Sequence, residues 1–481
     1  MVNEPARPST GFYADLEQLL RQQLSANAAP PELRLKLIEV YYETGRAAEF
    51  LREVEILGAV LDGPAGVDER ARVAGMGREL GLSGPLFEPE AVRPLPASTA
   101  GGVPRARTLL HRRIGDDGRF HQPFAALAAS FAPIHADPAW LPELDSALER
   151  ITQRPSPLHY AQRLSSASGG ARILLKREDL SAGDSRLRIA VAGQALLARK
   201  LGKSTLVTST TTGPRGLITA SIAAQLGLKA VIFMDRDDLD RQKPAAFQMK
   251  LLGAELKAVT RRELPERDVR HAALNFWAQQ TGERFPVMGL DAAPAPYGLL
   301  TREIPSVLGR ETRKQVQALT GGAPDLLVAR GGDSADAIGF LEPFLMDGAR
   351  LVCVAPSRDL GVKRKDELFG AAPGPSADTL RRIAQAELAA HEHTPVVREH
   401  HFLRVSGRVE YVKAAPEAAR RALLDVATSE GMVPSIEAAH AIAWACAEAA
   451  TLKPAQTVVV MLAEAGDTDL SELSRLLEGQ L

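Results

Sequence analysis

Leu174–Gln194 reads LLKREDLSAGDSRLRIAVAGQ. Its one amine is Lys176, in the charged run Lys176-Arg177-Glu178-Asp179, and two guanidinium groups, Arg186 and Arg188, flank Leu187. Leucine carries no titratable group and a guanidinium stays protonated near neutral pH, so the second half of the stretch offers no amine for covalent chemistry. On both sides of it, short β-rich runs alternate with helical segments. The runs are 204–209, 230–234, 326–329, 351–355 and 457–462, and helix patterns follow nearly every one, for instance over 216–226 and 435–451. That alternation predicts parallel strands joined by crossover helices, a large α/β protein with ligand-binding loops at the strand ends.

The wording of these segments resembles one family. KREDL at 176–180 and GQ at 193–194, with Arg154-Pro155-Ser156-Pro157-Leu158 before them, are similar to the β subunit of tryptophan synthase, a pyridoxal-phosphate (PLP) enzyme of fold type II. Further matched blocks follow in the same order. They are GDDGRF at 115–120, LGK at 201–203, RQ at 241–242, MKLLGAE at 249–255, PY at 296–297, SVLGRET at 306–312, SEG at 429–431 with Pro434, and IEAAHA at 436–441. The resemblance covers 113–481 and implies a two-lobed α/β domain, parallel sheets with helices on both faces. It also implies a PLP cofactor, a homodimer and a tryptophan synthase subunit as partner.

Several positions depart from what the resemblance requires. The family's Schiff-base lysine falls on Leu187 and the histidine before it on Arg186; Lys176 belongs to a block the family has in addition to that lysine. The family's acid/base glutamate falls on Ser209, whose hydroxyl is no general base. The loop that would take a substrate carboxylate becomes Thr210-Thr211-Thr212-Gly213-Pro214-Arg215-Gly216, a candidate anion-binding loop through its hydroxyls and Arg215. The glycine-rich phosphate cup becomes Gly332-Asp333-Ser334-Ala335-Asp336, in which two carboxylates face the place of a dianion and side chains replace glycine. The serine that would meet the pyridine nitrogen falls on Ala463. The expectation is a degenerate cofactor site with no catalytic residue, in a non-catalytic scaffold that holds PLP only if another lysine replaces the missing one. The alternatives are a PLP lyase of altered chemistry and a sensor of an amino-acid-like or indole-like ligand.

Other polar groups receive plainer readings. Glu437 and His440 lie at helical spacing and read as capping or packing groups. His400 and His401, with His391 and His393, lack partners at ligand spacing and read as a solvated loop, so no metal is expected. Asp237, Asp238 and Arg241 read as an exposed helix start. Arg186 or Arg188 is expected to pair with Asp333 and Asp336 across the former cavity.

The N-terminal segment is different. Over 32–61, Leu33, Leu37, Val40, Tyr41, Phe50, Leu51, Val54 and Leu57 describe two amphipathic helices broken at Thr44-Gly45-Arg46. ELRLKLIEVYYETGRAAEFLREVEIL at 32–57 resembles the cytoplasmic C-terminal domain of the FimV family of bacterial polar and pilus-assembly proteins. That implies a TPR-like helical module over 1–88 contacting a pole- or pilus-associated protein. Pro, Ala and Gly over 89–112 read as a linker.

Composition sets limits. The 481 residues are 45% hydrophobic and 24% charged with a formal charge of -1, which gives no bias toward nucleic acid or membrane. No apolar run approaches a membrane span, and a cytoplasmic protein is expected. Cys353 and Cys446 are the two cysteines, too few for a disulfide framework.

Overall fold

The structure is a computed structural model. It describes residues 11–25, 31–43, 46–61, 70, 73–74, 76–77, 80, 82, 84, 86–87, 120–180, 185–260, 269–289, 297–331, 334–356, 396, 399–400, 403–404, 407–463 and 474. The expected linker, Gly332, Asp333, His391, His393 and His401 lie outside the described residues. The chain divides into two compact units, the first carrying the N-terminal helices and the second both sheets.

In the first unit, α1 (Gly11–Leu24), α2 (Pro31–Glu43) and α3 (Ala47–Leu61) follow one another. The break between α2 and α3 falls where the sequence predicts it. Leu33, Leu37, Val40, Tyr41, Phe50, Val54 and Leu57 are buried, and Leu51 is half-buried. A polar cluster ties the three helices together. Arg21 donates to the Tyr41 hydroxyl at 2.7 Å, that hydroxyl donates to Glu17 at 3.0 Å, and Arg46 bonds both Glu17 and Glu49. Burial, with the Glu17 carboxylate beside it, pushes the Tyr41 phenol up to about 12.

In the second unit, α4 (His121–His135), apart from its last three residues, and α5 (Trp140–Thr152) precede a six-stranded sheet and a four-stranded sheet. The larger sheet runs β1 (Leu158–Tyr160), β2 (Arg172–Arg177), β10 (Thr457–Leu462), β7 (Leu326–Arg330), β8 (Arg350–Pro356) and β9 (Val409–Ala414), with β1 antiparallel and the rest parallel. The smaller runs β5 (Glu255–Val259), β4 (Lys229–Asp235), β3 (Thr205–Ser209) and β6 (Arg284–Pro286), all parallel. Every residue of β7 and β10 is buried, as befits central strands covered on both faces.

The connecting helices are α6 (Gln162–Ser168), α7 (Ser185–Lys200), α8 (Pro214–Leu226), α9 (Arg236–Arg241), α10 (Lys243–Leu251), α11 (Val269–Ala278), α12 (Tyr297–Glu303), α13 (Val307–Thr320), α14 (Ala335–Leu341), α15 (Pro416–Glu430) and α16 (Ile436–Ala449). The core of the larger sheet closes where α16 lays Ala438, Ala441, Ile442 and Ala445 on Val328, Val352, Val458 and Val460. Cys353 is buried in β8 and Cys446 lies in α16, both as free thiols. No helix among the described residues is long and apolar enough to cross a membrane.

Two readings are corrected here. Asp238 is buried rather than exposed and pairs with Arg241, while Asp235 caps α9 by accepting from the Asp237 amide at 2.9 Å. His400 is also buried, because its ring has two polar partners to fill its hydrogen-bonding capacity.

Candidate functional site

Parallel pairing brings the C-terminal ends of β2, β10, β7 and β8 to one edge: Leu462 lies opposite Arg177, and Arg330 opposite Val354. The predicted site residues leave from this edge or from the matching end of β3. Ligand sites of open α/β sheets occupy this position.

Beneath the edge lies a cluster whose charged members come from three separate matched blocks. The Arg154 guanidinium reaches Glu178 through Nη1 at 3.0 Å and Nη2 at 2.6 Å, and Glu311 through Nε at 3.0 Å and Nη2 at 2.5 Å. Ser156 and Ser185 both donate to Glu178, the second at 2.6 Å. Lys176, fully buried, donates to the Ser156 carbonyl at 2.8 Å and to Gln315 at 2.9 Å, and pairs with Glu311. Two cations thus meet two carboxylates out of water, with further hydrogen bonds to satisfy them. Burial alone would push the Glu178 carboxyl up, but Arg154, then Lys176 and Ser156, outweigh it and bring it to about 2. Burial lowers the Lys176 ammonium, with Glu311 and Glu178 opposing. Because Ser185 opens α7, this cluster fixes the entrance of the helix that carries Arg186, Leu187 and Arg188.

All three of those residues are half-buried in the first turn of α7. Farther along the helix, the Gln194 side chain clamps Met288, donating to its carbonyl and accepting from its amide, both at 2.9 Å. Gly193 lies so near Ile304 that an added Cβ would sit 2.7 Å from its side chain.

At the end of β3, Ser209 is half-buried and leads into Thr210, whose hydroxyl accepts from the Gly213 amide at 3.1 Å. Thr211 and Thr212 are exposed. Gly213 has φ of +104°, a backbone suited to glycine, and Pro214 stands at the first position of α8, where its missing N–H costs no helical bond. Arg215 extends beside Gly289, and Gly216 is packed against Thr210, Ile232 and Met249.

At the end of β7 the pairing of Asp336 differs from the expectation, while that of Asp333 lies outside the described residues. Asp336, in the first turn of α14 and 4% exposed, has its ion pair with Arg330 at 3.8 Å, not with Arg186 or Arg188. Arg330 also pairs with Glu437 in the first turn of α16. The reason is topological: Arg330 and Asp336 leave the same strand six positions apart. Ser334 presents its carbonyl to His400 Nε2 at 3.0 Å, while His400 Nδ1 lies 2.8 Å from the Tyr411 hydroxyl. Ala335 and Ala463 are buried. His440, fully buried, places Nδ1 2.8 Å from the Ile436 carbonyl. Sequence reasoning missed Arg330, and the signal was an arginine ending an otherwise apolar strand. Among the described residues no cluster of three metal-binding side chains occurs.

Comparison with known proteins places this architecture. Residues 150–464 match the pyridoxal-phosphate dependent enzyme family. The chain belongs to this family. Among curated relatives, the tryptophan synthase beta chain of Methylobacterium nodulans is 35% identical over 365 residues, covering 73% of this chain and 90% of that one. The beta chain of Chromobacterium violaceum is 34% identical over 366 residues, with 73% and 91% covered. Among solved structures, diaminopropionate ammonia lyase from Escherichia coli matches at a TM-score of 0.46 and 19% identity, over 72% of this chain and 94% of that one. The region before residue 150, and with it the likeness to FimV, lies outside the family match.

Proposed function

We propose that this chain is a non-catalytic member of the family. In this reading the tryptophan synthase β-like domain acts as a cytoplasmic scaffold, the first unit as a TPR-like module that engages a protein partner. The observation that carries the reading is the state of the amines at the site: Leu187 stands where the resemblance places the Schiff-base lysine, and Lys176 is sealed beneath by Ser156, Gln315 and Glu311.

The side chains present do not suit the family's cofactor. Asp336 brings a buried carboxylate to the loop where the phosphate would lie, and Ser209 and Ala463 supply neither the acid/base group nor the hydroxyl the resemblance calls for. Meanwhile the supports of the site, the Arg154 cluster and the Gln194 clamp, are intact. A second copy of the chain and a tryptophan synthase subunit are the partners this reading favours for the large domain, and a pole- or pilus-associated protein for the first unit.

The test is the visible absorbance of the purified full chain with added PLP, followed by borohydride reduction and mass analysis. Neither an absorbance band nor an adduct is expected. A stoichiometric adduct on one lysine would overturn the reading and identify a lyase of altered chemistry.

A further inference from the structure

Arg330 ends β7 with its side chain 9% exposed, between two carboxylates from different elements: Asp336 of α14 at 3.8 Å, and Glu437 of α16 in direct contact. Both Asp336 oxygens are shut off from solvent without a hydrogen-bond donor among the described residues, so this carboxylate relies on Arg330 for compensation. Beside it, Ser334 is held through its carbonyl by His400. A carbonyl only accepts, so Nε2 carries a proton, and Nδ1 lies 2.8 Å from the Tyr411 hydroxyl.

We infer that the described part of the loop after β7, Gly331 and Ser334 with Asp336 just beyond, is closed to phosphate-bearing ligands because the protein has built the anion into itself. Asp336 and Glu437 pair with the guanidinium at the end of β7, and His400 holds the Ser334 carbonyl beside it. This deepens the non-catalytic reading and rests on it. The buried Asp336 carboxylate meets an incoming dianion as repulsion. Removing the carboxylates' charge while keeping their shape shifts the balance, since it takes these two anions from Arg330, a preoriented donor of the kind that binds phosphate.

The test compares retention of PLP with that of unphosphorylated pyridoxal by the full chain in equilibrium dialysis, which isolates what the phosphate contributes. The wild type is expected to hold the two within about twofold. D336N/E437Q is expected to prefer PLP by about tenfold or more, the scale of a charge-assisted phosphate contact. R330M/D336N/E437Q, without the guanidinium, is expected to lose that preference. Because Glu437 is half-exposed, E437Q alone keeps the test available if the double variant fails to fold, and a smaller shift in the same direction is expected.

A wild-type preference for PLP of tenfold or more would overturn the inference, as would an unchanged ratio in folded D336N/E437Q. The two readings fail separately. A lysine adduct formed equally by pyridoxal and PLP would sink the non-catalytic reading and support the closed loop. Phosphate-dependent binding by the wild type without an adduct would sink only the closed loop.

Discussion

Glu178 accepts from Arg154 twice, from Ser156 and from Ser185, and its carboxyl is held at about 2. An unfolded chain returns it to 4.5, so the stabilisation is fully present above that value. It is lost as pH falls from 4.5 toward 2, because the unfolded state binds the proton first. The shift corresponds to about 3 kcal/mol. Urea unfolding of the wild type across this window should show stability falling by up to ~1.4 kcal/mol per pH unit from this group. Glu178→Gln should flatten that acid limb and cost about 3–5 kcal/mol at neutral pH, since it strips one carboxylate from a buried guanidinium. A variant as stable as the wild type would mean that Glu311 alone compensates Arg154. Lys176→Met should likewise lose about 3 kcal/mol in urea unfolding by leaving Glu311 with one partner fewer. Its failure to destabilise would show that the buried ammonium is dispensable to the cluster.

At the scale of elements, the strands that sequence reasoning found are those buried on both sides. The apolar runs at 326–329 and 457–462 became β7 and β10 because central parallel strands need no polar face. The strands it did not name are β1, β5, β6 and β9, all at sheet edges, and β2, an interior strand that ends in the charged run at Lys176-Arg177. His400 escaped for the same reason: its partner Tyr411 lies on β9, so a histidine read as solvated is in fact buried. The Arg154 cluster escaped because Glu311 is 157 residues away, a separation at which a sequence shows charges and not pairs. One glycine of the matched Gly193-Gln194 pair gives a check on close packing. Gly193→Ala puts a Cβ 2.7 Å from Ile304 and should cost about 1–3 kcal/mol despite alanine's better helix propensity. If the clash is the cause, adding Ile304→Val should recover part of that loss in a thermal melt. No recovery would place the strain elsewhere in α7.

Across the whole molecule, the segments matching the family and those departing from it divide by physical role. The matched blocks supply packing and support: KRED and Arg154-Pro155 build the buried cluster, Gln194 ties α7 to the end of β6, and the α16 block carries the helix that covers β7, β8 and β10. In the non-catalytic reading, the departures fall where chemistry would occur: Leu187 at the head of α7, Ser209 at the end of β3, Asp336 after β7 and Ala463 after β10. A fold can keep its shape while the groups at its strand ends change, since its stability resides in the core and its activity in the loops. Ligand linkage then distinguishes a scaffold from a holoenzyme without any assay of turnover. A cofactor at about a thousand times its dissociation constant stabilises the native state by about 4 kcal/mol, and would raise the melting midpoint of a large domain by several degrees. Differential scanning calorimetry of the full chain should show a midpoint unmoved, within about 1 °C, by PLP at on the order of 1 mM. A rise of several degrees that pyridoxal fails to reproduce would mean that the phosphate is bound after all, and that the carboxylates of Asp336 and Glu437 yield to it.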